Sequence, residues 1–303
     1  MKLFIQGMRR SGTTILYDAL IEDPELRCFY EPLREQDVTV GGGSGARDAD
    51  AFAETRALRE EFRRQHYPDV GIEEFNWGGP RDPELELEPG LPPHCRDFLA
   101  YLCGLAPRVA IKETRLYRKV PVLAELDPAA GLVHVVRDPR AVATSIMLGR
   151  RRRHSDRFPT ADAFFESRTK RKLWSSRRLS ERLLASGGSG LEHPPDFLRV
   201  LLVWKLTFED ARRDGRQLFG DRYLLLRHED LVARPSVALG EVYRLADREM
   251  PAEVAAWAEA NVRPPEQIPF GDDPRWARAA EQIGLAEAVD GAGYTELAAT
   301  LTR

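Results

Sequence analysis

Lysine is scarce in this chain. Of 45 basic residues, only Lys2, Lys112, Lys119, Lys170, Lys172 and Lys205 are lysines, so arginine carries nearly all the positive charge. Any lysine beside a motif therefore merits separate inspection. Cysteine is also sparse: Cys28, Cys95 and Cys103 cannot all pair and lack metal-ligand spacing. That excludes a disulfide framework and points to a reducing compartment. A net charge of −3 lacks the basic excess expected of a general nucleic-acid binder. No apolar run is long enough to span a membrane, and the run over 1–5 is too short for a signal peptide. The expectation is a cytoplasmic protein with no membrane span and no nucleic-acid partner.

What remains is ordinary for a folded soluble chain: 303 residues, with 43% hydrophobic and 31% charged. Short apolar runs over 3–6, 27–30, 108–112, 132–136 and 223–226 predict buried strands. Helical patterns are predicted over about 13–21, 49–65, 97–104, 139–148 and 196–219, and through most of the last third. Residues 150–195 also read as helical and strongly basic, with a break over 187–190. The stretch 67–95 is rich in Pro, Gly and acidic residues and predicts loops, and 41–45 is a glycine loop. Strands alternating with helices predict an α/β fold, a central parallel sheet with helices on both faces, and the glycine turn over Gly7 to Thr14 after the first strand makes it of P-loop nucleotide-binding type. Residues 1–303 read as a single domain with variable segments near 34–106 and 149–195.

The first strand runs into Gly7-Met8-Arg9-Arg10-Ser11-Gly12-Thr13-Thr14, which opens a helix. A glycine turn in this position collects backbone N–H groups and a favourable helix dipole around an anion. The spacing matches the nucleotide-binding loop G-x-x-x-x-G-K-[ST], except that Thr13 stands where lysine belongs. An ATPase or GTPase uses that lysine, with magnesium, on its phosphates. Here the cation has moved upstream to Arg10. Alone, the loop also fits a kinase with a degenerate motif or a plain strand–turn–helix.

A second element is Val135-Val136-Arg137-Asp138-Pro139-Arg140-Ala141-Val142-Ala143-Thr144-Ser145. Arg137 falls at a strand's C-terminal end, where ligands of open α/β sheets collect. Ser145, eight residues later, lies two turns into the next helix. A guanidinium and a hydroxyl are apt phosphate ligands. The structural alternative for Arg137-Asp138-Pro139 is a capped helix start.

Together the two elements resemble the sulfotransferase family that uses PAPS (3′-phosphoadenosine 5′-phosphosulfate). Its 5′-phosphosulfate loop reads like Arg10-Ser11-Gly12-Thr13-Thr14, usually with lysine at Arg10; its 3′-phosphate element has an arginine and a serine eight residues apart. Arg227-His228-Glu229-Asp230-Leu231 is similar to a later family segment, with His228 replacing a tyrosine; Trp276 and Gly293-Tyr294 resemble the usual C-terminal pattern. The resemblance implies donor contacts from Arg9, Arg10, Ser11, Gly12, Thr13, Thr14, Arg137, Ser145, Arg227 and His228. It implies PAPS as donor, PAP as product, and no metal.

The same resemblance implies catalytic roles. Arg10 and Lys112 would stabilise the leaving phosphate, Lys112 matching a lysine that follows a comparable family strand. Glu31, in Arg27-Cys28-Phe29-Tyr30-Glu31-Pro32, matches the glutamate assigned as base in the protein-tyrosine branch. Cationic neighbours would weaken such a base, and Glu31 could instead only pair with Arg10 or Arg115. Glu113 should point away from Lys112 if the strand continues. Thr114 stands where the cytosolic branch has a histidine base. His134 reads as core, and His66, His94, His154 and His193 have no placement. The run Arg150-Arg151-Arg152-Arg153-His154 reads as a solvated basic stretch or as a lid.

The reading is therefore transfer of a sulfuryl group from PAPS to an acceptor hydroxyl, with a small metabolite or natural product as the expected acceptor and a sugar or lipid hydroxyl, a carrier-bound acyl chain and a peptidyl tyrosine left open. The alternatives are a P-loop small-molecule kinase using ATP and magnesium, and a non-enzymatic PAP-binding module.

Overall fold

The computed structural model describes residues 2–34, 46–77, 85, 87–116, 118–149, 157–169, 194–263 and 268–302. The glycine loop over 41–45, the basic run over 150–154, the break over 187–190, and His154 and His193 lie outside the described residues.

Five strands form one sheet: β1 (Lys2–Gln6), β2 (Arg27–Tyr30), β3 (Val109–Glu113), β4 (Gly131–Val136) and β5 (Tyr223–Arg227). Their order is β2-β3-β1-β4-β5, and each pairing is parallel. Parallel pairing requires crossovers, which place helices on the faces and bury the strands on both sides. In β1, Phe4 enters one core while Leu3 and Ile5 enter the other. α1 (Thr13–Leu20), α9 (Pro235–Leu245) and α10 (Ala252–Asn261) cover the Leu3 face. α3 (Pro93–Gly104), α5 (Pro139–Leu148) and α7 (Asp196–Phe219) cover the Phe4 face.

The chain builds the β2–β3 side of β1 first and the β4–β5 side afterwards. This makes the β1–β4 crevice the topological switch point, where such sheets bind ligands beyond their C-terminal strand ends. Backbones approach closely there: a Cβ on Gly7 would lie 2.5 Å from the Val135 carbonyl oxygen.

The five expected strands are all present, with β3 and β5 each running one residue further than predicted. Three differences concern helices. α4 (Val120–Leu126) was not predicted, being only seven residues with Pro121 in its first turn. α3 starts at Pro93 rather than at about 97, because proline fits the first turn of a helix. The described part of 150–195 holds one short helix, α6 (Ala161–Phe165), rather than continuous helix. No helix among the described residues is long and apolar enough to cross a membrane.

Candidate active site

The loop after β1 is tightly wound. Ser11 N–H donates to the Met8 carbonyl at 3.0 Å, and α1 begins on the Gly12 carbonyl. Arg10 and Gly12 have φ of 80° and 95°. Gly12 tolerates this conformation at no steric cost, and it also has no room for a side chain: a Cβ would lie 2.3 Å from His228 Nδ1. His228 opens α8 (His228–Ala233) at the end of β5. That contact brings residues 216 positions apart in sequence to one wall.

The second element meets the same loop. Arg10 Nε donates to Ser145 Oγ at 2.7 Å, and Arg137 Nη1 donates to the Arg10 carbonyl at 3.3 Å. Trp204 Nε1 donates to the Arg137 carbonyl at 2.9 Å and fixes the strand end. Arg10, Arg137 and Ser145 are thus together. Burial and neighbouring Arg137 lower the Arg10 guanidinium below its ordinary value. Such crowding of cations favours an anion between them.

Among the described residues, three buried polar atoms around this wall have no hydrogen-bond partner: Ser11 Oγ, Arg137 Nε and His228 Nδ1. An unsatisfied buried polar group costs about 1–3 kcal/mol. Phosphate oxygens would satisfy the hydroxyl and guanidinium, so the residues fit a phosphorylated ligand. Burial, with the charge of Arg137, pushes His228 down to about 4, so it is neutral at physiological pH. Arg227 behaves differently from its neighbour. Its guanidinium is engaged by Asp230 at 2.7 and 2.9 Å and by the Gly293 carbonyl, tying β5 to the C-terminal turn.

The opposite wall comes from β2 and β3. Tyr30 and Lys112 are register partners, and Lys112 Nζ sits 3.9 Å from the Tyr30 ring centroid. The Tyr30 hydroxyl is 3.0 Å from Thr14 Oγ1, which links this wall to the loop. Lys112 Nζ also donates to Glu31 Oε1, while Arg34 Nη1 reaches Glu31 Oε2 at 3.1 Å. Thr114 Oγ1 lies 3.4 Å from Glu31 Oε1. Glu31 therefore pairs with Lys112 and Arg34; Arg10, considered as a partner from the sequence, is bonded to Ser145 instead.

Burial acts to raise the Glu31 carboxyl, but Lys112, Arg34 and Arg9 outweigh it and hold the group below its ordinary value. Burial likewise opposes the Lys112 charge, and Glu31 with Tyr30 restores it, raising the ammonium above its usual value. Arg9 itself is exposed on the loop. Glu113 points to the other face, as strand alternation requires, and its Oε1 accepts from Leu33 N–H at 2.8 Å.

Other sequence candidates lie elsewhere. His134 is core: its Nδ1 is 2.9 Å from the Tyr223 hydroxyl, and burial pushes it down to about 3. His66 packs tilted against Phe62, and His94 Nε2 is 2.8 Å from the Glu74 carbonyl oxygen. Sequence reasoning missed Glu229 as a connector. Its Oε1 accepts from Asp138 N–H at 3.1 Å and its Oε2 from the Tyr294 hydroxyl at 2.5 Å.

A family model described as "Sulfotransferase family" matches residues 2–186, which include the loop, Glu31, Lys112, Arg137 and Ser145. The chain belongs to the sulfotransferase family. It is an enzyme of the sulfuryl-transfer class. Solved structures similar to this sulfotransferase include the sulfotransferase domain of the Synechococcus PCC 7002 olefin synthase, at 17% identity and a TM-score of 0.43, covering 84% of this chain and 76% of that one. A sulfotransferase domain from the curacin biosynthetic pathway is 14% identical with a TM-score of 0.44, covering 93% and 96%. A sulfotransferase from Mycobacterium tuberculosis is 13% identical with a TM-score of 0.45, covering 93% and 76%. No curated protein matches this sulfotransferase.

Proposed function

We propose that this sulfotransferase moves a sulfuryl group from PAPS to the hydroxyl of a small-molecule acceptor. One observation carries the donor assignment: unpartnered Ser11 Oγ, Arg137 Nε and His228 Nδ1 surround a loop whose Arg10 is joined to Ser145. Arg9, Ser11, Gly12, Thr13 and Thr14 would cradle the 5′-phosphosulfate through backbone N–H groups and hydroxyls. Arg137 and Ser145 would hold the 3′-phosphate, with His228 beside the nucleotide. Arg227 would then act on the nucleotide only through the wall it braces.

In the proposed step, Glu31 takes the acceptor's proton and the acceptor oxygen attacks sulfur. The bond from sulfur to the 5′-phosphate oxygen breaks and PAP leaves. Positioning and fixed charge supply most of the barrier reduction. Glu31 is ionised throughout the neutral range, which suits a proton acceptor although its cationic neighbours weaken it. Protonation of Glu31 would remove the charge that holds Lys112, freeing that ammonium for the leaving phosphate. Arg10 is a second source of positive charge, and no metal is assigned a role. The three free cysteines support a reducing, cytoplasmic setting. Residues 1–303 are read as one domain.

Calorimetric titration with PAP, AMP and ATP, with and without magnesium, tests the donor. Tight, metal-independent binding of PAP is expected. Arg137→Ala should weaken PAP about tenfold to a hundredfold, the worth of a charged hydrogen bond, and leave AMP unchanged. Equal losses for both ligands would refute the assignment of Arg137, and a preference for ATP with magnesium would indicate a kinase.

A further inference from the structure

Glu31 has an unusual backbone for a residue with a long side chain: its φ is 42°, in the left-handed region. Such a conformation is strained in a non-glycine residue and persists only where surrounding contacts over-determine it. Those contacts can be named. On one side, Glu31 N–H donates to the Lys112 carbonyl at 2.7 Å and so belongs to the end of the sheet. On the other, Arg34 N–H donates to the Glu31 carbonyl at 3.0 Å, closing a turn.

The turn is then clamped from outside. Arg59, on α2 (Ala46–His66), donates from Nη1 to the Pro32 carbonyl at 3.4 Å and to the Arg34 carbonyl at 3.1 Å. Glu113 accepts from Leu33 N–H at 2.8 Å, and Trp77 N–H donates to the Leu33 carbonyl at 2.7 Å. Both Arg59 and Glu113 are buried polar side chains, at 4% and 6% exposure. Neither touches the phosphate loop in any of these contacts. A buried arginine and a buried glutamate spent on three consecutive residues are more than an ordinary surface turn requires. What the turn presents is the Glu31 carboxylate and the Arg34 guanidinium that grips it.

We propose that Arg59 and Glu113 are positioning residues, which hold the 31–34 turn so that the Glu31 carboxylate stays between Lys112 and Arg34 for the transfer step; this rests on the reading of Glu31 as base. They act through Glu31 and contact no reacting atom. The sequence separations, 28 and 82 residues from Glu31, explain why no local motif announces them.

The test follows the Glu31 carboxyl by carbon-13 NMR in the full chain, its signal assigned by loss in Glu31→Gln. Wild type should titrate below the ordinary glutamate range. Arg59→Ala and Glu113→Ala should loosen the ion pair and raise the Glu31 midpoint by about one pH unit or more. Arg59→Lys, whose ammonium ends one atom short of the position of Nη1 that meets both carbonyls, should raise it as well. Glu113→Gln keeps an oxygen for Leu33 N–H and should leave it in place. Affinity for PAP should be unchanged in all four. An unmoved Glu31 midpoint in Arg59→Lys and Glu113→Ala overturns the proposal, even if Arg59→Ala fails to fold. The base reading fails separately, if Glu31→Gln still releases PAP from PAPS with a phenol as the acceptor probe. If Glu31→Gln keeps only a trace of wild-type turnover, adding Arg59→Lys to it should cost nothing more, and a further loss of that trace would assign Arg59 to another role.

Discussion

Glu113 is enclosed on the face of β3 opposite Lys112, where it accepts the Leu33 N–H. Burial, with the added charge of Glu31, pushes its carboxyl up to about 8, against 4.5 for an ordinary glutamate. Between those values the folded chain holds a proton that the unfolded chain has lost. Stability must therefore fall as pH rises through that window. The buried His134 and His228 have lowered values, so their contribution is fully present above about 6.5 and is lost only on acidification. Lys112, raised above its usual value, contributes loss only at more alkaline pH. From about pH 7 to about pH 8, Glu113 is thus the group expected to dominate. Glu113→Gln should flatten the decline of the urea midpoint across that interval, and an unchanged decline would mean the carboxyl is already ionised at neutral pH. At this scale the sequence was partly readable. Arg10, Arg137 and Ser145 were legible because each sits at a fixed offset within a local motif. Arg59, Glu113 and Glu229 were not, because their partners are set by how β2, β3 and the C-terminal turn pack. A buried glutamate looks like any other until its neighbours are known.

Elements were more legible than residues. Strands announce themselves as short apolar runs, and a parallel sheet buries them on both faces, so β1 to β5 emerge within a residue. Strand order does not follow from such runs. Only the order β2-β3-β1-β4-β5 sets Tyr30 beside Lys112 and the loop beside Val135. α5 joins this scale to the site, because its first turn is anchored at Asp138 and its second carries Ser145. The Asp138 side chain accepts Arg140 N–H at 2.8 Å, capping the helix, and pairs with the Arg140 guanidinium at 2.8 Å. Arg140 in turn donates to the Gly271 carbonyl at 2.9 Å. Asp138→Ala should cost about 1 kcal/mol from the lost cap, with a further loss if Arg140 lets go of residue 271. Asp138→Asn retains a capping oxygen but no charge. Thermal melts in which Asn recovers most of the stability would assign the effect to the cap, and melts in which it recovers none would assign it to the ion pair.

Across the whole molecule, the family match ends at residue 186, yet the wall facing the loop is completed by the last third of the chain. β5 pairs with β4, His228 fills the space beside Gly12, and Arg227 clasps the Gly293 carbonyl. Glu229 is the central link. One carboxylate oxygen caps the Asp138 N–H just after Arg137, and the other receives the Tyr294 hydroxyl from the turn before α13 (Thr295–Leu301). The C-terminal helices are thus tied through one side chain to the residue proposed to read the 3′-phosphate. Tyr294→Phe removes only the hydroxyl and keeps the ring against Arg227, whose guanidinium carbon lies 5.5 Å from the ring centroid. The lost bond to a carboxylate should cost about 1.5–3 kcal/mol of stability. If Glu229 also steadies Arg137, PAP affinity should fall several-fold while AMP affinity holds, because the strain falls on the 3′-phosphate contact. Calorimetry on Tyr294→Phe decides between the two roles: a melting point that drops with unchanged PAP binding makes the C-terminal turn a brace for the fold, and a selective loss of PAP makes it part of donor recognition.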